Sequence, residues 1–184
     1  MTSLNSFVPA ILLFISLISI NPDAQARQGQ LRKVENNAFQ LGERLNFRVF
    51  YDSFLTGHVH AGEVILEIEN DPGVINGRNT MNVVAQARSK GAFNLFFRVV
   101  NRYESNLDME AIAPLRFMRR ISEGRYRKYE EVMFNQFDNI AVSRTATVPI
   151  KPYMQDFISI FYYLRTHDFR TARPGDDFEI GRAH

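Results

Sequence analysis

Alternation of polar and apolar side chains is the feature that most constrains this chain. From Arg44 to Tyr51 every second residue is apolar, as a half-buried β-strand requires. The same period of two predicts further strands at 57–69, 81–87, 103–109, 115–123, 125–136 and 139–148. The connections are of hairpin length, and Asn76-Gly77 is the clearest turn. The pattern therefore predicts an antiparallel meander that forms most of the fold.

The alternation is interrupted at residues 91–98. Phe93, Phe96 and Phe97 have helical spacing, which predicts one or two helical turns. The favoured role for these rings is a plug packed on the sheet.

A longer helix is predicted at residues 155–166. Its apolar residues fall at i, i+3, i+4 and i+7, namely Phe157, Ile160, Phe161 and Leu164. Asp156 is the candidate N-cap. We expect this stripe to lie against the sheet, which makes the fold class α+β: mainly β with a C-terminal helix.

Composition excludes several functions. The 184 residues suit one domain, and 45% hydrophobic with 23% charged residues is a globular composition. No cysteine is present, so disulfide frameworks, zinc-thiolate sites and thiol catalysis are excluded. The formal charge of +2 is mildly basic and does not indicate nucleic-acid binding.

The N-terminus predicts export. Residues 7–20 form an apolar run of 14 residues. A helix needs about 20 residues to span a bilayer, so this run is too short for a transmembrane helix. Ala24-Gln25-Ala26 follows as a small-x-small cleavage site. Residues 1–26 are therefore predicted to be a signal peptide cleaved after Ala26, which places the protein in the periplasm without a transmembrane span. The alternative is an uncleaved membrane anchor.

The rest of the chain divides into three parts. Residues 27–37 are polar and predict a flexible leader, and residues 38–178 predict a single β-rich domain. Residues 179–184 resemble a translated sequencing adapter, so we expect the domain to be incomplete at its C-terminus.

A basic segment interleaved with aromatic residues is the most distinctive stretch. Its six cations are Arg116, Arg119, Arg120, Arg125, Arg127 and Lys128. Forked guanidinium donors suit phosphate, so the segment is a candidate surface for an anion or a protein partner. The alternative is an ordinary solvated hairpin face.

Few residues are candidates for catalysis or metal binding. His58 and His60 share one strand face, but Glu63 lies on the other face and no third ligand is nearby. Glu104, Asp108 and His60 are the acid-base candidates for a cell-wall enzyme, which is the least favoured function. We expect no cofactor and no metal.

Several short motifs agree with one family. The agreeing residues are Ala38-Phe39, Gly42-Glu43, Leu45, Tyr51, Gly57, Asn76-Gly77, Phe97, Arg102-Tyr103, Ser105, Asp108, Pro114, Phe117, Arg120, Glu123-Gly124, Tyr126, Asp156, Ser159, Tyr162-Tyr163 and Arg165. In this order and spacing, residues 38–178 resemble the bacterial exported proteins called domain of unknown function 3108. The resemblance implies a periplasmic, open and strongly curved barrel around a helix, similar to lipoprotein carriers. It also implies further C-terminal strands, and it assigns no catalytic residues.

The favoured function is binding of a lipid or other hydrophobic or amphiphilic envelope ligand, without catalysis. The expected ligand wall consists of Tyr51, Leu66, Val83, Phe117, Phe157, Phe161 and Leu164, with Val64 and Ala85 beside them. The same residues could instead form a dry core. A structural protein that docks an envelope partner through the basic hairpin 116–128 is the alternative.

Overall fold

Nine strands form one open antiparallel sheet in the computed structural model, which describes residues 30–54, 57–173 and 175. The strands are β1 (Arg44–Ser53), β2 (Gly57–Ile68), β3 (Gly73–Ile75), β4 (Arg78–Ser89), β5 (Val100–Asp108), β6 (Pro114–Glu123), β7 (Tyr126–Asn135), β8 (Ile140–Ser143) and β9 (Thr147–Pro149). Their order is β1-β2-β4-β5-β6-β7-β8-β9, and β3 pairs with β4 alone. The predicted meander is confirmed.

Two short helices accompany the sheet: α1 (Phe93–Phe96) and α2 (Ser159–Arg165). A 3-10 turn follows at Phe169–Thr171. Within the described ranges, no helix is long and apolar enough to cross a membrane. The predicted signal peptide and the residues 179–184 lie outside the described residues.

Turn chemistry explains where the strands end. Asn76 and Gly77 have φ angles of 50° and 74°, which suit the two-residue hairpin that joins β3 to β4. The alternation does not reveal β3. The predicted strand 139–148 is split into β8 and β9, because the Ser143 hydroxyl accepts the Ala146 N–H at 3.1 Å and holds a turn there.

The core lies on the face of the sheet that α2 covers, here called the helix face; the opposite side is the outer face. Its buried residues are Phe39, Leu66, Ile68, Met81, Val83, Ala85, Leu107, Ile112, Ile158 and Tyr162. They come from the sheet, from α2 and from the segment before β1, so these three elements enclose one apolar layer.

Asp156 fixes the start of α2, as the sequence predicts. Its Oδ1 accepts the N–H groups of Ile158 at 2.7 Å and Ser159 at 2.8 Å. The Ser159 hydroxyl accepts the Asp156 N–H in return, at 2.7 Å, which makes a reciprocal cap. The Ser105 hydroxyl of β5 donates to Asp156 Oδ2 at 2.5 Å and joins the cap to the sheet. Burial raises the pKa of Asp156 despite these donors.

The predicted inward stripe of the helix is wrong. Ile158 and Tyr162 face the core and are 2% and 0% exposed, whereas Phe157 and Phe161 are 72% and 39% exposed. The reason is that the joint between Asp156 and Ser105 sets the rotation of the helix about its axis. The residues that pack are therefore shifted by one position from the predicted stripe, from Phe157 and Phe161 to Ile158 and Tyr162.

Arg165 fixes the other end of α2. Its guanidinium makes a bidentate pair with Glu43, at 2.5 and 2.8 Å, and donates to the Ala38 carbonyl at 2.9 Å. It also lies 5.4 Å from the centroid of the Phe39 ring. These contacts hold the helix end against the chain just before β1.

The described part of the expected leader packs against the domain. Leu31 is buried, and the Val34 N–H donates to the Glu110 carbonyl at 2.8 Å. The Arg32 guanidinium lies between the rings of Tyr153 and Tyr163, 4.3 Å from each centroid. The polar composition of this segment does not predict these contacts, because it does not show that an arginine side chain packs between aromatic rings.

The α1 segment is helical, as predicted, but its rings do not form a plug. Phe96 is 88% exposed and Phe97 is 45% exposed, and Phe93 alone is half-buried. Helical spacing shows which rings share a face but not whether another element covers them.

Replacing Asp156 by Ala should destabilise the fold by about 2–4 kcal/mol, because the Ser105 hydroxyl and two helix N–H groups lose a buried acceptor. Urea unfolding measures this free energy. Asp168→Ala is the control, since Asp168 caps the exposed 3-10 turn; it should cost less than about 1 kcal/mol. An equal loss of unfolding free energy in the two variants would contradict the conclusion that Asp156 fixes α2 on the sheet.

Arg78→Met should also destabilise the fold, by about 3 kcal/mol, because it leaves the buried Asp108 carboxylate without its ion pair. Burial works to raise the pKa of Asp108, but Arg78 and the N–H groups of Glu110 and Ala111 outweigh it and lower the pKa. The stabilisation is therefore complete above the usual value of 3.8 and is lost as pH falls through the lowered pKa.

The measurement is urea unfolding of wild type and Arg78→Met across an acid pH series. The difference between the two proteins should shrink as the solution becomes more acidic. Arg44→Met is the matched control, because the Arg44–Glu67 pair is exposed and contributes under about 1 kcal/mol. A pH-independent difference would show that Asp108 ionisation does not carry the effect.

Candidate ligand-binding trough

Helix α2 covers only part of the helix face. It runs from Ser105 of β5, at its Asp156 cap, to Glu43 just before β1, at Arg165. It therefore crosses the strands between them, and it leaves the helix-face positions beyond uncovered. The first uncovered row is Phe47, Val64 and Ala87, which are directly opposite one another on β1, β2 and β4.

These uncovered positions form an apolar trough. A cavity of about 290 Å³ opens there, and its apolar lining consists of Val49, Phe50, Tyr51, Ala61, Val64, Ala87, Phe93 and Val99. Phe47 adjoins it through its pairing with Val64. Phe47 and Val49 are each 44% exposed, and Tyr51 is 56% exposed. Contiguous exposed apolar side chains mark a binding surface more often than scattered ones do.

Helix α2 leaves two aromatic rings exposed on the helix face. The Phe157 ring packs at 5.5 Å from the ring of Tyr103, a β5 residue on the helix face. Phe161 follows four residues later, on the same side of the helix. Both rings are exposed because the Asp156 cap turns Ile158 and Tyr162 inward instead.

The expected ligand wall is divided by the structure. Tyr51 lines the trough, whereas Phe157 and Phe161 are exposed on α2, with Phe157 packed on Tyr103. Leu66 and Val83 belong to the buried cluster under α2, while Phe117 is half-buried against it and Leu164 is half-buried on α2.

Sequence reasoning missed Phe47, Val49, Ala87 and Phe93 as candidates for ligand contact. The first two alternate with Leu45 on β1, so the period of two contained the signal. The sequence pattern does not show how far α2 extends over the sheet, and this extent decides where the buried core ends and the open trough begins.

Strand alternation divides the basic hairpin between two faces. Arg116 and Arg120 pair with Met133 and Tyr129 on the outer face, whereas Arg119 and Lys128 belong to the helix face. Acidic neighbours pair with three of the six cations: Arg116 with Glu131, and Arg119 and Lys128 with Glu130. The Lys128 and Arg116 contacts lower the pKa values of Glu130 and Glu131, respectively.

The other three cations have no carboxylate partner among the contacts of the described residues. Arg120 lies 5.8 Å from the Tyr129 ring centroid, and Arg127 donates to the carbonyls of Gly124 and Tyr126 at 2.8 Å. Arg125 is exposed beside Gly124. The cationic surface is therefore smaller than the sequence suggests and is concentrated at one end of the sheet.

The acid-base candidates do not come together. Glu104 pairs with Arg102 at 2.6 Å, Asp108 pairs with Arg78, and His60 Nε2 lies 3.0 Å from the Gly62 carbonyl. Each group is thus held by different partners.

His58 and His60 do share a face, with the Phe50 ring stacked on His58 at 4.4 Å and 5.4 Å from His60. His58 Nδ1 lies 2.5 Å from Asp52 Oδ1. Within the part of the chain that the structure describes, no group of three or more His, Asp or Glu residues could hold a metal ion.

The division between core and trough can be tested by stability alone. Leu66→Ala should cost about 2–5 kcal/mol, because it empties a buried site. Val49→Ser should change the free energy of unfolding by less than about 1 kcal/mol, because Val49 is already 44% exposed. Chemical denaturation measures both. A large loss in Val49→Ser would mean that the trough is part of the core.

Comparison with known proteins identifies one family. Residues 46–184 match the family described as "Protein of unknown function (DUF3108)", and this match begins within β1 and includes all later strands. Neither a curated protein nor a solved structure shows significant similarity to the chain. Because the match covers well over half of the sequence, the chain belongs to the DUF3108 family of proteins of unknown function.

Proposed function

We propose that this protein is an exported envelope protein that binds a hydrophobic or amphiphilic ligand in its apolar trough and catalyses no reaction. The observation that carries the proposal is the uncovered row of apolar side chains beside a core that α2 already closes. Phe47, Val49 and Tyr51 remain exposed although a neighbouring helix buries Leu66 and Val83. Exposed apolar surface next to a finished core gains most from a ligand.

The size and lining of the trough define the ligand. Its volume of about 290 Å³ is at the low end of ligand pockets, which range from about 300 to 1,000 Å³. A single acyl chain fits such a site better than a bulky polycyclic molecule, with part of the chain lying over Phe47. Arg88 also lines the cavity and is exposed. It supplies a cation for a carboxylate or phosphate head group.

Export rests on the N-terminal sequence. A 14-residue apolar run followed by Ala24-Gln25-Ala26 supports cleavage after Ala26 and delivery to the periplasm. Such a compartment contains free amphiphiles and lipid surfaces, which is the setting that an apolar binding site requires.

Docking of an envelope protein through the basic hairpin 116–128 has less support. Arg116 and Arg119 each pair with a glutamate across the hairpin, and Lys128 pairs with Glu130 on its own strand. Partner binding would have to break these pairs or use the remaining cations at the turn.

Native mass spectrometry of the protein purified from a periplasm tests ligand binding directly. We expect an adduct of lipid mass, whose fragmentation identifies the ligand class. Val49→Asp should remove the adduct, because a carboxylate among apolar side chains is costly to desolvate. A protein that carries no adduct, and that also fails to bind an added fluorescent fatty acid, would refute the proposal.

Val74→Asp is the matched control for that experiment. Val74 is an exposed valine on β3, outside the trough lining. It should keep the adduct and the affinity for the fatty acid. Loss of binding in both variants would trace the effect to the added charge rather than to the trough.

A further inference from the structure

Three connections meet at one end of the sheet. In an antiparallel sheet, the β1–β2, β4–β5 and β6–β7 connections all lie at the same end. Two backbone hydrogen bonds hold the β4–β5 connection to its neighbours: Lys90 N–H donates to the Ala61 carbonyl of β2 at 2.9 Å, and Gly124 N–H of the β6–β7 connection donates to the Arg98 carbonyl at 2.9 Å. A Cβ on Gly124 would lie 3.3 Å from the Phe97 ring, so the last two connections are in contact.

This end exposes large apolar side chains. Phe54 follows β1 and is 103% exposed, and Leu95 and Phe96 of α1 are 83% and 88% exposed. Phe97 and Tyr126 add half-exposed rings at 45% and 54%. We call these five residues the aromatic end. Leaving them in water is unfavourable, so they need an explanation that the core does not provide.

The charges at the two ends of the sheet differ. The aromatic end carries Arg98, Arg125 and Arg127, all exposed, together with Lys90, which pairs with Glu63 at 3.1 Å. Its carboxylates are Asp52, beside His58, and Glu123, which accepts a hydrogen bond from Asn101. The opposite end carries Glu69, Asp71, Asp108, Glu110 and Asp138, together with Arg78, Arg32 beside the Ala111 carbonyl, and Lys151 after β9, so acidic groups are in excess there.

From this arrangement we infer that the aromatic end docks on a lipid bilayer that contains anionic lipids. Phe and Leu side chains surrounded by arginines match the two layers of such a surface: the rings enter the acyl boundary and the guanidinium groups meet phosphates. Phe54, Leu95 and Phe96 project almost wholly into solvent from two separate connections. A fluid medium accommodates such isolated projections, whereas the core of a protein interface is close-packed.

This inference goes beyond the proposed ligand binding and does not depend on it. The absence of tryptophan from the sequence provides a clean reporter, because one introduced Trp is the only indole in the protein. In Leu95→Trp, phosphatidylcholine vesicles that contain phosphatidylglycerol should shift the emission to shorter wavelength. Val74→Trp places the same reporter at the opposite end and should show no shift.

Vesicle co-sedimentation measures the contribution of each group. Leu95→Ser with Phe96→Ser should weaken binding about tenfold or more, because two apolar side chains no longer insert. Val74→Ser with Val148→Ser is the apolar control, since both valines are exposed away from the aromatic end. Thermal unfolding should be unchanged in each double variant, because all four side chains are largely in solvent.

The electrostatic part has its own pair of variants. Arg125→Ser with Arg127→Ser should weaken binding to the anionic vesicles about tenfold and leave weak binding to pure phosphatidylcholine unchanged. Lys33→Ser with Lys151→Ser removes the same charge from exposed positions away from the aromatic end and should have little effect. All variants have the same N-terminal segment, so differences in vesicle binding among them cannot come from its apolar run.

Three outcomes would overturn the inference. One is an unshifted Leu95→Trp emission at saturating anionic lipid. Another is equal loss of vesicle binding in a variant and its matched control. The third is a dimer in the absence of vesicles that Leu95→Ser with Phe96→Ser dissolves, which would assign the aromatic end to a second copy of the chain. If Leu95→Ser with Phe96→Ser loses vesicle binding but keeps the lipid adduct, membrane docking and ligand binding are independent of each other.

Discussion

The joint between Asp156 and Ser105 is the interaction on which the rest of the structure depends. A buried carboxylate accepts one hydroxyl from the sheet and two N–H groups from the helix that it caps. Because each donor lies in a fixed direction, the joint sets where α2 begins and how it is rotated. A neutral apolar contact at the same place would fix neither, since hydrophobic attraction has no direction.

The rotation of α2 divides the helix face into two parts with different roles. Tyr162 and Ile158 close a dry core over Val83, and Arg165 anchors the far end of the helix to Glu43. Phe157 is turned toward the uncovered side, where it rests on Tyr103. One hydrogen-bonded joint thus decides which side chains of α2 enter the core and which remain exposed.

Local signals in the sequence predict most of the sheet but not the site. Strand alternation and the Asn76-Gly77 turn are local, so the meander and most of its strands follow from them. Asp156 is recognisable as a cap for the same reason. The side of α2 that packs on the sheet cannot be recognised in this way, because it depends on a hydrogen bond to Ser105, 51 positions away. Pairing of Arg116 with Glu131 across the β6–β7 hairpin likewise cannot be read from a count of cations.

The trough and the aromatic end are neighbours, and this bears on how a ligand would enter. Phe93 lines the trough and belongs to α1, the same short helix that exposes Leu95 and Phe96. Docking through α1 would therefore bring the open side of the trough to the lipid surface. An acyl chain that moves between the two need not cross water, so the cost of exposing its methylenes, about 0.8 kcal/mol each, is largely avoided. On these two proposals, the arrangement would lower the barrier to exchange without requiring tight binding at either site.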